Sequence, residues 1–160
     1  RKYAPGFQNA YVSGMPAVIG VRETRRILGD DYLTVKELIG GTQSASAVVR
    51  KAEFGIDIHN PDGIGQAQGV SKDSPLGQDP KCHPYDIPYG CLLPRGIEGL
   101  LVAGRCISGT HEAMASYRVQ VIAMGTGVAA GVAAALAAKQ RILPRAVDVA
   151  SIQNIVFATA

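Results

Sequence analysis

The chain has no tryptophan, and its aromatic content is only 6%. Proteins that stack unpaired bases need aromatic platforms, so this poverty argues against single-stranded nucleic acid as a partner. Charge is sparse as well: 18% of residues are charged, 16 basic against 13 acidic, leaving a formal +3. No lysine–arginine run gathers that small excess into a stripe, so no nucleic-acid partner is expected. Cysteine is limited to Cys82, Cys91 and Cys106. An odd number at wide spacing makes no disulfide framework, and without a CxxC pair there is no zinc or iron–sulfur signature. Cys82 and His83 are neighbours, but no second ligand pair lies at useful spacing, and no metal is expected. Reduced thiols fit a cytoplasmic setting. The chain opens RKYAPGFQNAYV, with neither an initiating methionine nor an apolar run. A processed chain or a fragment without a secretory signal is the expectation.

What is present suits a folded protein: 160 residues, 47% of them hydrophobic, enough for one modest core. AVIGVRETRRILG (17–29) begins with a β-branched run and reads as a short strand. In LTVKELIGG (33–41), Thr34 caps a short helix, Glu37 completes a capping box, and the paired glycines stop it. SASAVVRKAEFGIDIHN reads as a helix followed by a strand ending near His59. Residues 60–84 are rich in Gly, Pro, Asp, Ser and Gln without an apolar period, which predicts a long loop. YDIPYGCLLP (85–94) reads as extended. GLLVAGR (99–105) has the pattern of a buried parallel strand reaching a ligand at its glycine. Asp148 or Ser151 caps a last short helix.

The segment VQVIAMGTGVAAGVAAALA (119–137) admits two readings. Gly125, Gly127 and Gly131 resemble a nucleotide-binding loop. Such a loop sits on the first strand of its fold, and residues 141–160 cannot supply the strand–helix units that must follow. As a helix, Gly127, Gly131 and Ala135 instead form a smooth stripe, at about 1 kcal/mol per glycine relative to alanine. The helix is apolar all round, so Val119 to about Lys139 is predicted to be one helix buried on every side. The run is also long enough for a bilayer, and Gly127–Gly131 matches a membrane dimer motif. With one leucine among alanines and glycines it inserts feebly, and no membrane partner is expected.

PGFQNAYV, IGVRETRRILGDDYLT, DIHNPDG and YDIPYGCLLPRGIEGLLVAGRCISGTHEAMASYRVQVIAMGTGVAAGVAAALA together resemble the C-terminal part of FAD-dependent oxidoreductases. More distantly, the arrangement is similar to the end of the succinate dehydrogenase and fumarate reductase flavoproteins. The resemblance implies FAD as cofactor and an α/β fold: the C-terminal fragment of a discontinuous FAD-binding, Rossmann-like domain with part of a substrate or cap region. Residues 1–95 would belong to the substrate or cap region. Residues 96–160 would provide the flavin-side closing strand and helices, and an N-terminal part of the parent chain would hold the ADP half.

By position in the family, the backbone of Arg118, Val119, Gln120 and Val121 faces the N1/C2=O edge of the flavin, where a helix start stabilises negative charge. Gly104 lets the preceding strand approach the cofactor. Arg105 and Arg118 are placed for flavin ribityl or phosphate oxygens, or for an anionic substrate. His111, in the loop between strand and helix, is the candidate proton-exchanging group. Arg22 and Arg25 are candidate substrate contacts, an arginine pair suiting a carboxylate. On a strand, Glu23 and Arg25 would share one face and Arg22 the other. The chain departs from the family at Gly90, where relatives carry arginine before the cysteine, and at Val121, where proline is usual. No anion contact is therefore carried over to Gly90.

The expected activity is hydride transfer between a small organic substrate and FAD, by a chain incomplete or inactive alone. The rival reading is a non-catalytic folded fragment that self-associates as a homo-oligomer without binding FAD.

Overall fold

The computed structural model describes residues 3–18, 20–59, 66–68 and 81–158, with the backbone alone at 59 and 66–68. The predicted loop therefore lies outside the described residues over 60–65 and 69–80. The chain is α/β: among the described residues, four helices surround two small antiparallel sheets.

Helix α1 (Val35–Gly40) forms as its caps dictate. Thr34 and Glu37 close the reciprocal capping box, and Gly41 ends the helix in the left-handed region at φ 59°. The predicted helix in SASAVVR is absent. A turn from Ser44 to Ala47 leads directly into strand β1 (Ala47–Ala52), because Val48 and Val49 suit a pleated surface and Val48 is buried in the core. β1 pairs antiparallel with β4 (Tyr85–Pro88), Ala47 opposite Pro88 and Ala52 opposite Tyr85, with irregular register between. Lys51 lies in that irregularity with a left-handed φ of 53°. The Asp86 carboxylate staples it, accepting from the backbone N–H groups of Lys51 and Ser44, each at 3.1 Å. Strand β2 (Asp57–His59) ends where expected and pairs antiparallel with β3 (Gln66–Gln68).

Two further expectations are corrected. Residues 20–28 are not a strand; only Gly29 bridges, to Pro94. Residues 99–103 do not enter a sheet either. A bond from Val102 N–H to Leu92 O anchors them, and Gly104, at φ 74°, turns the chain into a 3-10 turn over Gly104–Cys106. The extended reading of 85–94 holds for β4 but gives way to a 3-10 turn at Tyr89–Leu92.

Helix α2 (His111–Tyr117) precedes α3 (Gln120–Gln140), so the single-helix reading of the glycine-rich segment is correct to within a residue. Its predicted burial is not. Ile122, Thr126, Ala129, Ala133 and Ala137 face the core, whereas Val121, Met124 and Val128 are exposed. Spacings of three and four residues put the buried set on one stripe. Gly125 packs on Val49 of β1, but a Cβ added at Gly127 or Gly131 would meet nothing within 4 Å. The glycine stripe thus lies on the open side. By length and composition α3 matches a membrane span, with a mean hydropathy of 2.0, although one face is packed into the protein. Helix α4 (Val149–Val156), capped by Asp148 as anticipated, buries Ile152. The core holds Leu38, Tyr85, Ile87, Leu92, Met114 and Tyr117, each at most 1% exposed.

Candidate functional site

The start of α3 is shaped by the junction with α2. Arg118 closes α2, its N–H bonding Met114 O at 3.0 Å. Val119 is then extended, with ψ 149°, and begins α3 without a side-chain cap. The first-turn N–H groups that an uncapped helix leaves without internal acceptors therefore open outward. They front a cleft of about 1010 Å³, whose walls carry Val119, Gln120 and Val121 together with Arg22, Arg105 and Arg118. Six of the nine residues singled out from the sequence thus meet in one place. One detail changes: the backbone N–H of Arg118 is consumed inside α2, so its contribution to the cleft is its guanidinium.

Ion pairs and hydrogen bonds to backbone carbonyls fix these arginines. Arg118 Nη2 donates to Asp57 O at 2.5 Å and to Asp57 Oδ2 at 3.2 Å, with the side chain only 13% exposed. That contact ties the start of α3 to β2. Arg22 reaches the same carboxylate at 3.5 Å. Arg105 Nη1 donates to Val21 O at 2.8 Å and Arg22 O at 3.2 Å, holding residues 21–22 against the turn after Gly104. Arg50 and Lys51 line the same cleft, so cations outnumber the two lining carboxylates, Asp57 and Glu53.

Gly104 is beside the cleft and is not on its wall. Its N–H donates to Thr126 Oγ1 at 2.8 Å, and the Thr126 hydroxyl donates to Ala123 O at 2.7 Å. The glycine is required by its positive φ, since a Cβ there would meet nothing within 4 Å. A smaller recess of about 270 Å³ adjoins, sharing Arg22 and Arg105 and adding Glu23, Arg25 and Cys106. Arg25 is exposed there, apart from Asp57. Because residues 20–28 are not a strand, the predicted division of Arg22, Glu23 and Arg25 between two strand faces does not apply.

His111 is the first residue of α2 and not part of a loop, because Thr110 caps that helix by accepting from Ala113 N–H at 3.2 Å. Its Nδ1 lies 2.6 Å from Glu23 Oε2, and Glu23 Oε1 is ion-paired to Arg26. It lies outside the walls of the large cleft. The thiol of Cys91 is no nucleophile: it is buried, and burial pushes its pKa up to about 12. At Gly90 the direction of a side chain is occupied, since a Cβ would fall 2.4 Å from Asp31 Oδ2.

Asp57 and Thr126 were not singled out from the sequence, and Glu23 was read only as a member of the Arg22–Arg25 cluster, without its link to His111. Asp57 stands in the apolar–polar alternation GIDIH as an ordinary outward residue. Thr126 interrupts the glycines of α3, and that lone hydroxyl in an otherwise apolar run was the available signal.

A protein-family model described as FAD dependent oxidoreductase matches residues 1–156. The chain belongs to this family. FAD is accordingly the cofactor of this FAD-dependent oxidoreductase, and redox chemistry through a flavin is its class of function. No curated protein and no solved structure gives a significant match.

Proposed function

We propose that the chain supplies the flavin side of the FAD site, and that hydride passes between a small organic substrate and the flavin bound there. The observation that carries this reading is the uncapped first turn of α3 opening on a cleft ringed by Arg22, Arg105 and Arg118. The donor set fits the group. Open N–H groups, the positive end of a 21-residue helix and guanidinium donors match an edge rich in carbonyl oxygens that gains negative charge on reduction. When bound, the flavin supplies the hydride acceptor or donor. The chain's own residues bind and orient it: Val119, Gln120 and Val121 through the helix start, Arg118 and Arg105 through their side chains, with Gly104 shaping the adjoining turn. His111 exchanges the proton that accompanies the hydride. Arg22 and Arg25 line the recess side and serve an anionic substrate group.

The remainder of the cofactor is held by the N-terminal part of a longer, Rossmann-like parent chain, with 1–95 in the substrate or cap region and 96–160 closing the flavin side. The open face of α3, with Val121, Met124 and Val128 exposed, supports such a covering partner better than a bilayer, because its other face is already packed. The thiols of Cys91 and Cys106 are in keeping with a cytoplasmic location.

Replacing Val121 by Trp tests the assignment. The indole crowds the cleft mouth, so FAD affinity falls and the potential of bound flavin drops. A helix start is worth about 0.3–2 kcal/mol to an adjacent charge, or roughly 5–40 mV for a two-electron couple. Unchanged affinity and potential would contradict it.

A further inference from the structure

We infer that Glu23 is the positioning residue of His111, selecting the ring tautomer that leaves Nε2 as the proton-exchanging nitrogen. The inference rests on the role proposed above for His111. Its geometry is independent of the cofactor. Glu23 and His111 are 88 residues apart, yet Oε2 lies 2.6 Å from Nδ1. Glu23 is itself held: its other oxygen is ion-paired to Arg26, and Arg26 Nε donates to Gly109 O at 2.8 Å. Gly109 is in turn positioned by the bridge to Leu33, and a Cβ there would fall 2.9 Å from Tyr117. Arginine, carboxylate and imidazole therefore form a chain anchored to the loop that leads into α2.

A carboxylate can only accept a hydrogen bond. The hydrogen shared with His111 must then be on Nδ1, which makes Nε2 of the neutral ring a lone-pair acceptor. The His111 side chain is 54% exposed while that of Glu23 is 21% exposed, so one ring nitrogen is sequestered and the other is left towards solvent. In the proposed reaction the proton that accompanies the hydride would pass from the substrate to Nε2, while bound flavin would supply the hydride acceptor. In the reverse direction Nε2 returns it. In this reading Glu23 acts through the imidazole, by holding the Nδ1 hydrogen.

The test is the tautomeric state of His111, read from nitrogen-15 correlations of the histidine ring in the 160-residue protein. Signals of the other two histidines are separated with a His111→Gln variant. Wild-type His111 should be predominantly Nδ1–H when neutral. A predominantly Nε2–H ring in the wild type would overturn the inference without any variant being needed. Glu23→Met, which removes the acceptor and keeps the bulk, should shift the ring towards Nε2–H. Glu23→Gln, whose amide oxygen can still accept, should restore part of the Nδ1–H form. If Glu23→Met folds and leaves the tautomer unchanged, the inference fails. In the FAD-loaded enzyme, Glu23→Met should lower kcat several-fold more than it raises KM, and equal changes would count against it. His111→Gln separates the two claims. Unchanged turnover in that variant defeats the catalytic reading of His111 even if the tautomer is as stated, and a wrong tautomer defeats the role of Glu23 even if turnover collapses.

Discussion

Thr126 shows how much one hydroxyl can join. It is 1% exposed, receives the Gly104 N–H and donates to its own helix, so α3 and the turn before Cys106 share one fixed point. Thr126→Val keeps the volume and leaves the Gly104 N–H without that acceptor, which should cost about 1–3 kcal/mol. Urea unfolding measures this; an unchanged midpoint would show that the tether carries no weight. Gly29 is equally exacting, since a Cβ there would fall 2.6 Å from Gly90 O and 2.8 Å from the Ser108 side chain. Gly29→Ala should destabilise by about 1–3 kcal/mol, the range for overpacking. At this scale local rules were readable: Thr34, Glu37 and Gly41 behave as their spacing dictated. Contacts such as His111 with Glu23, or Arg118 with Asp57, were not. Nothing in either segment encodes a pairing made only when distant loops close.

Among the elements, α3 was legible in extent and not in burial. An apolar residue at nearly every position gives no face to distinguish, so sequence cannot say which side packs. The structure sorts the small residues. Ala129 and Ala133 are fully buried, whereas Gly127 and Gly131 face open space. Gly131→Ala should therefore stabilise the helix by about 0.5–1 kcal/mol, and Ala133→Leu should destabilise by about 1–3 kcal/mol. Equal effects from the two would contradict the assigned faces. The misread helix at SASAVVR and the misread strand at GLLVAGR share a cause. Short apolar runs fit either state, and the partner decides: β4 pairs with β1, while residues 99–103 enter no sheet.

For the whole molecule, the buried hydroxyls and thiol set the alkaline limit of stability. Burial raises Tyr85 and Tyr89 from 10.0 to about 12 and Cys91 from 9.0 to about 12. Above the unfolded-state values the unfolded chain loses protons that the native state retains. Stability is thus full below about pH 9 and declines as pH rises towards 12. Denaturation midpoints followed from pH 8 to 11 should fall, and Cys91→Ala should delay the onset; a flat profile would show these groups to be less buried. The same burial predicts that in the folded protein a thiol reagent modifies Cys106, which is exposed, well before Cys82 and Cys91.

The central claim is that the flavin meets the first turn of α3 and that the glycines further along hold no phosphate. Backbone amide shifts on titration with FAD test it directly in a chain of 16.7 kDa. Shifts should be greatest at Val119, Gln120, Val121 and Ile122, with the Arg118 and Arg105 side-chain signals moving too. Shifts concentrated at Gly125–Gly131 would contradict the claim.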